Sequence, residues 1–515
     1  MRNIFLALFV IVIISAVSVA SFASPETITN TSSQMKYGSL TYMYYETSSG
    51  PGTSTPSTNT GTIPSGSSGS YSLAASSTAY LWSSQFASAT TISAGNWLLD
   101  LWGSAAVVAD VPITISNNQS SATPNPFQVK ITWNPSNYAS YEASDLGNIR
   151  FYSDSAFSQP LNAWLESCTP SLINSATSAT AWVKLTNSIN PNGGTLKIYM
   201  GFLTTGTEFD GNYWGDSPDL SSTYGQYDNG AKVFSFYDNF AGTTLSSKWT
   251  KMQGSSGSSI TVNNGLNVTI TNASTAYGFV ISQNQTYPAV AEAYASSGDS
   301  ILGLSTTTNL NGFIAPYNGY SMDWYAGNDY MVYESSSGGA NLASPAQSSY
   351  PTGIWQVAWN ATGSEYFQDG KGLNYTGTNN GASIANYAIY IGQSNGVAAI
   401  NLFRWARMRA FPPNNQMPSA SVGVLTSPKY VAGISIYVTD ASGNILTTVA
   451  NNVTSPNIGA SESQISMTMP GSQVNVPQNS YIGIEIFATS TPYTIYWGKG
   501  QPTNFQVPYR VLSGA

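Results

Sequence analysis

The stretch that decides the fold is residues 127–133, FQVKITW, in which large apolar and polar side chains alternate. A period of two places successive side chains on opposite faces, which is the pattern of a half-buried β-strand. Similar runs recur, such as NIRFY at 148–152 and AWVKL at 181–185. Gly, Asn and Pro separate the runs, and no long segment after residue 23 has the 3.6-residue period of an amphipathic helix. The sequence therefore predicts an all-β protein.

The composition excludes several kinds of chemistry. Charged residues make up 8% of the 515 residues, whereas ordinary globular proteins contain about 25%. The chain has no His, which rules out a Ser-His-Asp triad and a Cys-His dyad. The net charge is −8 and no Lys or Arg cluster occurs, so no nucleic-acid partner is expected. Cys168 is the single cysteine, so no intrachain disulfide can form, and we expect a small buried apolar side chain.

The N-terminus predicts export. Arg2 precedes an apolar run over residues 4–17, and Ser21-Phe22-Ala23 follows, which is the layout of a signal peptide covering residues 1–23. An uncleaved anchor is the alternative, because the run approaches the roughly 20 residues that span a bilayer. We therefore expect an extracellular, cell-surface protein that contacts a membrane only through this segment, if it is not cleaved. Sequons for N-glycosylation begin at Asn30, Asn118, Asn267, Asn272, Asn284, Asn360, Asn374 and Asn452.

Two internal domains follow a low-complexity segment. Residues 24–70 are rich in Ser, Thr, Gly and Pro, and over 46–71 the pattern is typical of a loop or linker. Residues 120–205 contain LNAWLE at 161–166 and LKIYMG at 196–201. These segments resemble a small β-domain of unknown function from archaeal and bacterial surface proteins, which often precedes a lectin-like module. The resemblance covers about 125–203 and implies no catalytic residues.

The second internal domain is predicted over residues 232–423. It opens with DNF at 238–240 and Trp249, and it closes with FRWARMRAFPPN at 403–414. Asn264-Gly265 is a favoured turn between two strand-like segments. The arrangement is similar to a concanavalin-A-like, laminin-G-like jelly roll. In its last strand we expect Trp405 to face inward and the arginines to face outward.

The remaining segments, 71–108 and 428–512, flank the two internal domains. They include AGNWLLDLW at 94–102 and IYWGKGQPTNF at 495–505, a combination that resembles a domain recurring in archaeal exported proteins. The strands of 71–108 alone would leave an open edge and an unburied face. We therefore expect both segments to complete one outer β-sandwich, into which the other domains are inserted. Two separate small units are the alternative.

The sequence predicts no enzyme. Some jelly rolls of this family are glucanases, which carry clustered carboxylates spaced two apart on one strand. Here Glu365 and Asp369 come closest to that spacing, but Asp369 lies in an apparent Asp-Gly turn. Glu292 and Asp299 are isolated in the sequence. An exported glycosidase is therefore the least favoured function.

Two sets of residues are candidates for binding. Trp324, Tyr325 and Tyr330, with Asp323 and Asn328, could stack on sugar rings and bond the hydroxyls. The alternative is that these rings pack into the jelly-roll core. Carboxylates in the connector between the internal domains could supply oxygen ligands to Ca²⁺, although a solvated loop is the alternative and no other cofactor is expected. They are Glu208, Asp210, Asp216, Asp219 and Asp228.

These observations favour a surface binding or adhesion protein whose lectin-like domain contacts a glycan or another surface protein. A structural subunit of an extracellular filament or coat is the alternative, because low charge and Tyr- and Thr-rich strands suit self-assembly by strand pairing between subunits.

Overall fold

The computed structural model of the chain confirms the all-β prediction. The structure describes residues 34–39, 42–46, 69–73, 78–83, 85–105, 107–254, 257–271, 277–283, 285–286, 288–297, 301–305, 319–325, 329–335, 340–343, 352–359, 364–368, 375–377, 386–393, 399–427, 431–456, 458, 463–488, 493–497 and 504–511. Helix in these ranges is limited to one α-helical turn and two 3₁₀ turns: Gly230–Val233, Pro135–Asn137 and Pro413–Asn415. None of the described helices is long and apolar enough to cross a bilayer.

The two ends of the chain form one outer sandwich. Its first sheet contains Gln34–Ser39, Gly69–Leu73, Gly95–Ala105, Ser463–Gly471, Tyr493–Trp497 and Asn504–Val511. Its second sheet contains Tyr42–Glu46, Thr78–Ser83, Ala432–Thr439, Ile445–Thr454 and Tyr481–Ala488. A two-stranded ribbon adds Thr90–Ile92 and Val474–Val476. Strand Gly95–Ala105 pairs with Ser463–Gly471, and Trp97 and Leu99 share one core with Ile434 and Ile484.

The outer sandwich extends beyond the predicted boundary at residue 71. Strand Gln34–Ser39 pairs with Asn504–Val511, and Tyr42–Glu46 pairs with Thr78–Ser83. Both strands lie in the segment 24–70 that the sequence assigned to low complexity. That assignment is wrong for residues 34–46, because the Ser, Thr and Gly content of the whole segment conceals a run rich in Tyr and Met. Residues 47–68 of that stretch lie outside the described residues.

The small β-domain is a two-sheet sandwich that is larger than the predicted 120–205. One sheet contains Pro160–Leu161, Ile149–Tyr152, Gly194–Phe202, Ala109–Asn117 and Ser419–Val422. The other contains Trp214–Asp216, Ala163–Thr169, Ser178–Leu185 and Phe127–Trp133. Ser419–Val422, which we had expected at the end of the jelly roll, pairs instead with Ala109–Asn117. The chain thus returns to the small β-domain after the jelly roll, and Val111, Ile113, Val129 and Ile131 fill the core.

The jelly roll consists of two stacked eight-stranded sheets. The first contains Ser258–Val262, Leu266–Ile270, Ala399–Ala410, Ala289–Ser297, Gly353–Trp359, Ser364–Gln368, Tyr375–Gly377 and Phe236–Asp238. The second contains Trp249–Gly254, Tyr277–Ser282, Asn386–Gln393, Ile301–Ser305, Gly319–Tyr325, Asp329–Ser335, Ala340–Ala343 and Gln285–Thr286. The predicted hairpin turn is confirmed, because Asn264 and Gly265 have φ values of 49° and 131° between paired strands.

The last long strand of the jelly roll corrects one expectation. Trp405 is buried, but Arg407 and Arg409 are buried beside it, with only 1% and 5% of their surfaces exposed. The three residues lie two apart and therefore share one face. The register shifts near Arg404, so that Phe403 packs into the jelly-roll core whereas Trp405 lies on the outer face. That face packs against the small β-domain, which is why the arginines do not reach solvent.

Candidate binding cleft

A cleft of about 630 Å³ separates the small β-domain from the outer face of the first jelly-roll sheet. Its walls combine apolar rings with charged and amide side chains. Its lining includes Lys130, Glu166, Thr180, Trp182, Asp219, Glu292, Tyr294, Gln356, Trp405, Arg407, Arg409, Asn415 and Met417.

Strand register places these side chains in rows. On the small β-domain, Lys130 lies opposite Trp182, and Trp182 lies opposite Trp164 on the next strand. Cross-strand partners point to the same side of a sheet. Lys130, Trp164 and Trp182 therefore form one row toward the jelly roll.

The jelly-roll wall contains three such rows across its three central strands. Glu292 stands between Arg407 and Gln356 in the first row. Tyr294 stands between Trp405 and Ile354 in the second. In the third, Val290 stands between Arg409 and Ala358. The row of Glu292 thus lies between an apolar row, which contains Tyr294 and Trp405, and a row in which Arg409 adjoins aliphatic side chains.

A buried ion cluster joins the two domains at the cleft. The Nε of Arg407 donates to Oε2 of Glu292 at 2.5 Å, and its Nη2 donates to Oε2 of Glu166 on the small β-domain. The Nε of Arg409 donates to Oε1 of Glu292 at 3.0 Å. Trp182 adds a 2.6 Å hydrogen bond from Nε1 to the same oxygen of Glu166. One guanidinium therefore bridges a carboxylate from each domain.

Aromatic rings enclose the same guanidinium. The Cζ of Arg407 lies 4.4 Å from the ring centre of Trp405, 4.6 Å from Phe234, 4.9 Å from Trp182 and 5.2 Å from Trp164. A cation within about 6 Å of a ring face is attracted to it. The cage takes rings from the jelly roll, the connector and the small β-domain, so it fixes how the two domains meet.

Two members of the cluster, Glu292 and Arg407, keep their charges in spite of burial. Desolvation alone would raise the pKa of Glu292, but the charges and hydrogen bonds of Arg407 and Arg409 bring it below the ordinary value. Burial would lower the pKa of Arg407, yet Glu292 and Glu166 raise it. Glu292, which is isolated in the sequence, in fact forms salt bridges with two arginines, Arg407 and Arg409. Asp299 lies outside the described residues.

Four of the predicted glycan-binding residues lie on strands of the second jelly-roll sheet, whereas the cleft lies on the first. Asp323, Trp324 and Tyr325 end one strand, and Tyr330 belongs to the next, where Trp324 is paired with Tyr330. Asn328 and the side chains of the other four lie outside what the structure describes. Their role in binding stays a prediction.

The connector carboxylates have separate partners. Asp210 pairs with Arg150 at 3.1 Å, and Asp219 pairs with Arg404 at 3.3 Å. Asp228 accepts hydrogen bonds from Trp164, Tyr237 and Asn239.

Asp216 is fully buried and accepts a hydrogen bond from Ser221. Burial raises the pKa of Asp216 to about 6. The exposed Glu208 accepts a hydrogen bond from Tyr227. Within the described part of the chain, no group of three acidic, His or Cys side chains could hold a metal ion. The predicted calcium ligands are therefore not gathered into one site there.

The remaining predicted positions are dispersed. Asn118 and Asn452 are exposed, and Asn267 is half-buried in a strand. Cys168 is buried in the small β-domain, as expected. The other predicted glycosylation positions lie outside the described residues: Asn30, Asn272, Asn284, Asn360 and Asn374.

The cleft itself was not predicted. Its carboxylates, Glu166 and Glu292, are 126 positions apart in sequence, and no local motif connects them. The available signal was the run FRWARMR at 403–409, in which Trp405, Arg407 and Arg409 have the same parity. Because the three must share a face, a buried Trp405 implies buried arginines that need carboxylate partners.

Comparisons with known proteins identify no family. No protein-family model matches the chain, so the resemblance of the small β-domain stays a prediction. Uncharacterized protein 562 of Sulfolobus islandicus rod-shaped virus 1 is 31% identical over 346 residues, which cover 61% of this chain. The match spans 59% of the length of that relative.

Several solved structures show a weak likeness over about a third of the chain. An endo-β-1,3-glucanase from Pyrococcus furiosus is 11% identical, with a TM-score of 0.27, over 35% of this chain and 95% of the glucanase. Porphyranase B from Zobellia galactanivorans is 14% identical, with a TM-score of 0.25, over 34% of this chain and 91% of the porphyranase. Both are carbohydrate-active enzymes by name; no enzyme activity is established for this chain.

Proposed function

We propose that the chain is an exported surface protein that binds a glycan in the cleft between the small β-domain and the jelly roll. The observation that carries the proposal is the cleft, in which the half-buried ring of Tyr294 lies among amide and charged groups. A sugar needs an apolar platform for one ring face and a few fixed polar groups for its hydroxyls. Tyr294 offers the first, and Gln356, Thr180 and Asn415 offer the second.

The ion cluster supports a preformed site. Arg407 is in contact with both domains and the connector, so the walls of the cleft are held in place before a ligand arrives. A site that needs no ordering on binding retains more of its interaction energy. The viral source of the sequence relative makes the outer surface of a virion one of the surfaces to which this proposal applies.

The same cluster favours binding over glycoside hydrolysis. Hydrolysis needs one carboxylic acid that donates a proton to the leaving oxygen and a second carboxylate as base or nucleophile. Glu292 is held ionised by two arginines, and Glu166 accepts hydrogen bonds from Arg407 and Trp182. Neither carboxylate is thus arranged as a proton donor.

A glycan array with the purified chain tests the proposal. We expect saturable binding of at least one glycan. Tyr294→Ala should weaken it by about tenfold, because a stacked ring contributes about 0.5–1.5 kcal/mol beyond its buried area. Tyr294→Phe keeps the ring and is the matched control. Absence of saturable binding to every glycan, with the fold intact by circular dichroism, would reject the proposal.

One observation favours the second candidate, a structural subunit of an external assembly. Strand Ile445–Thr454 ends its sheet, carries no charged residue, and has no fully buried side chain. Ile445 and Leu446 are 43% and 48% exposed. Such an edge is a template for pairing with another strand, and most proteins protect it with charge. Electron microscopy of the purified chain distinguishes the two candidates, since polymers would support assembly and monomers that bind sugar would support the cleft.

A further inference from the structure

Most carboxylate oxygens of the cleft already accept hydrogen bonds from donors of the protein itself. Both carboxylate oxygens of Glu292 accept from arginines. The Oε2 of Glu166 accepts from Arg407 and from Trp182. The carboxylate of Asp219 is paired with Arg404, which does not line the cleft. A ligand that offered mainly donors would therefore find the main acceptors already engaged.

The cationic donors have spare capacity. The Nη1 of Arg407 is buried and has no hydrogen-bond partner. The Nη1 of Arg409 has only the thioether of Met417, at 3.6 Å, and sulfur is a weak acceptor. The Nζ of Lys130 lies 4.0 Å from Glu166, and half of its side chain is exposed. The protein's own acceptors therefore do not fully occupy the donors of the two guanidinium groups, which leaves positive potential in the wall of the cleft.

The balance of charges around the cleft also favours an anionic ligand. The lining carries three cations, Lys130, Arg407 and Arg409, and three carboxylates, Glu166, Glu292 and Asp219. Because Asp219 is paired with Arg404, which lies outside the lining, the charged groups around the cleft sum to one positive charge. The chain as a whole has a net charge of −8, so this positive excess is local. Because the arginines lie in a desolvated wall, their charge is screened less than that of surface groups.

We propose that the ligand of the cleft is an anionic saccharide, one that carries a carboxylate or a sulfate ester. This inference rests on the proposed glycan-binding function and specifies its ligand class. The ammonium of Lys130 is the accessible group that meets the anion, and the two buried arginines supply positive potential behind it. The ring of Tyr294 contacts the sugar face.

Calorimetric titration of the full chain tests the ligand class. The probes are trigalacturonic acid, its carboxyl-reduced neutral counterpart, and a sulfated galactan trisaccharide. We expect one of the two anionic probes to bind at least fivefold more tightly than the neutral one, with an advantage that shrinks as salt rises. Lys130→Gln should remove about fivefold of that affinity, since a half-exposed charge pair is worth up to about 1 kcal/mol. The carboxylate and sulfate probes together show which anion is preferred.

Lys197→Gln is the control, because Lys197 is equally charged, exposed, and on the other sheet of the small β-domain. Equal affinity for neutral and anionic probes, or no effect of Lys130→Gln beyond that of the control, would overturn the ligand class and leave glycan binding intact. Failure to bind all three probes, when the array has identified a neutral glycan, would also overturn it. If the chain binds no glycan on the array, the proposed glycan-binding function itself is rejected.

Discussion

Glu142 gives the sharpest test of how burial controls this fold. Its side chain lies in the small β-domain and is 2% exposed. The Oε1 atom accepts a 3.0 Å hydrogen bond from Nε1 of Trp133, whereas Oε2 has no partner. Burial raises the pKa of Glu142 from 4.5 to about 8, against a smaller opposite effect of the Trp133 hydrogen bond. At neutral pH the folded protein therefore holds this group as the neutral acid.

The raised pKa fixes the sign of the pH dependence. The unfolded chain releases this proton near pH 4.5 and the folded chain only near pH 8. The stabilising contribution of the neutral acid is therefore complete below pH 4.5 and is lost as the pH rises toward 8. At about 1.4 kcal/mol per pKa unit, the loss between pH 5 and pH 8 is at most about 4 kcal/mol. Glu142→Gln removes the titration but keeps an acceptor for Trp133.

Urea unfolding followed by hydrogen exchange in peptides from Phe127–Trp133 measures this effect locally. We expect Glu142→Gln to be close to the parent protein at pH 5 and clearly more stable at pH 8. Glu208→Gln is the control, because Glu208 is exposed. If the difference between Glu142→Gln and the parent is the same at both pH values, Glu142 is not neutral in the fold and the reasoning is refuted.

Two further substitutions test the contact between domains and the outer sandwich. Glu292→Gln leaves two buried guanidinium groups without their shared counter-charge. It should lower the free energy of unfolding by about 3–5 kcal/mol, which calorimetry would detect as a lower Tm. An unchanged Tm would mean that the cluster contributes nothing to stability. Trp97→Ala opens a cavity in the outer sandwich and should lower its free energy of unfolding by about 3–5 kcal/mol. We expect faster amide hydrogen exchange in Ser463–Gly471, which pairs with the strand of Trp97. Unchanged exchange in Phe127–Trp133 would show that the effect is confined to the outer sandwich.

Local sequence patterns predicted the strands well, because the alternation of apolar and polar side chains along a strand involves only neighbouring residues. Phe127–Trp133 is a strand with Phe127, Val129, Ile131 and Trp133 buried, as its sequence predicts. The Asn264-Gly265 hairpin follows from a turn that favours positive φ.

Pairing across long distances could not be derived in the same way. Nothing in Gly95–Ala105 specifies Ser463–Gly471 as its neighbour, since both simply alternate. Likewise, no pattern in the sequence predicts that Ser419–Val422 pairs with a strand of the small β-domain. The strand order of a sandwich is set by which apolar faces finally cover each other, and that is a property of the whole chain.

The cleft, too, depends on contacts between residues that are distant in sequence, and its buried charges show how these contacts are selected. In a chain with 8% charged residues, Glu166, Glu292, Arg407 and Arg409 are all withdrawn from solvent at one contact. Burying such groups is unfavourable unless each finds its partner, so any other docking of the domains would leave charges uncompensated. Apolar patches alone would tolerate several orientations, whereas this cluster forms only when both carboxylates meet the same guanidinium. We infer that the cluster selects the orientation of the two domains, and the cleft is the space which that orientation leaves between them.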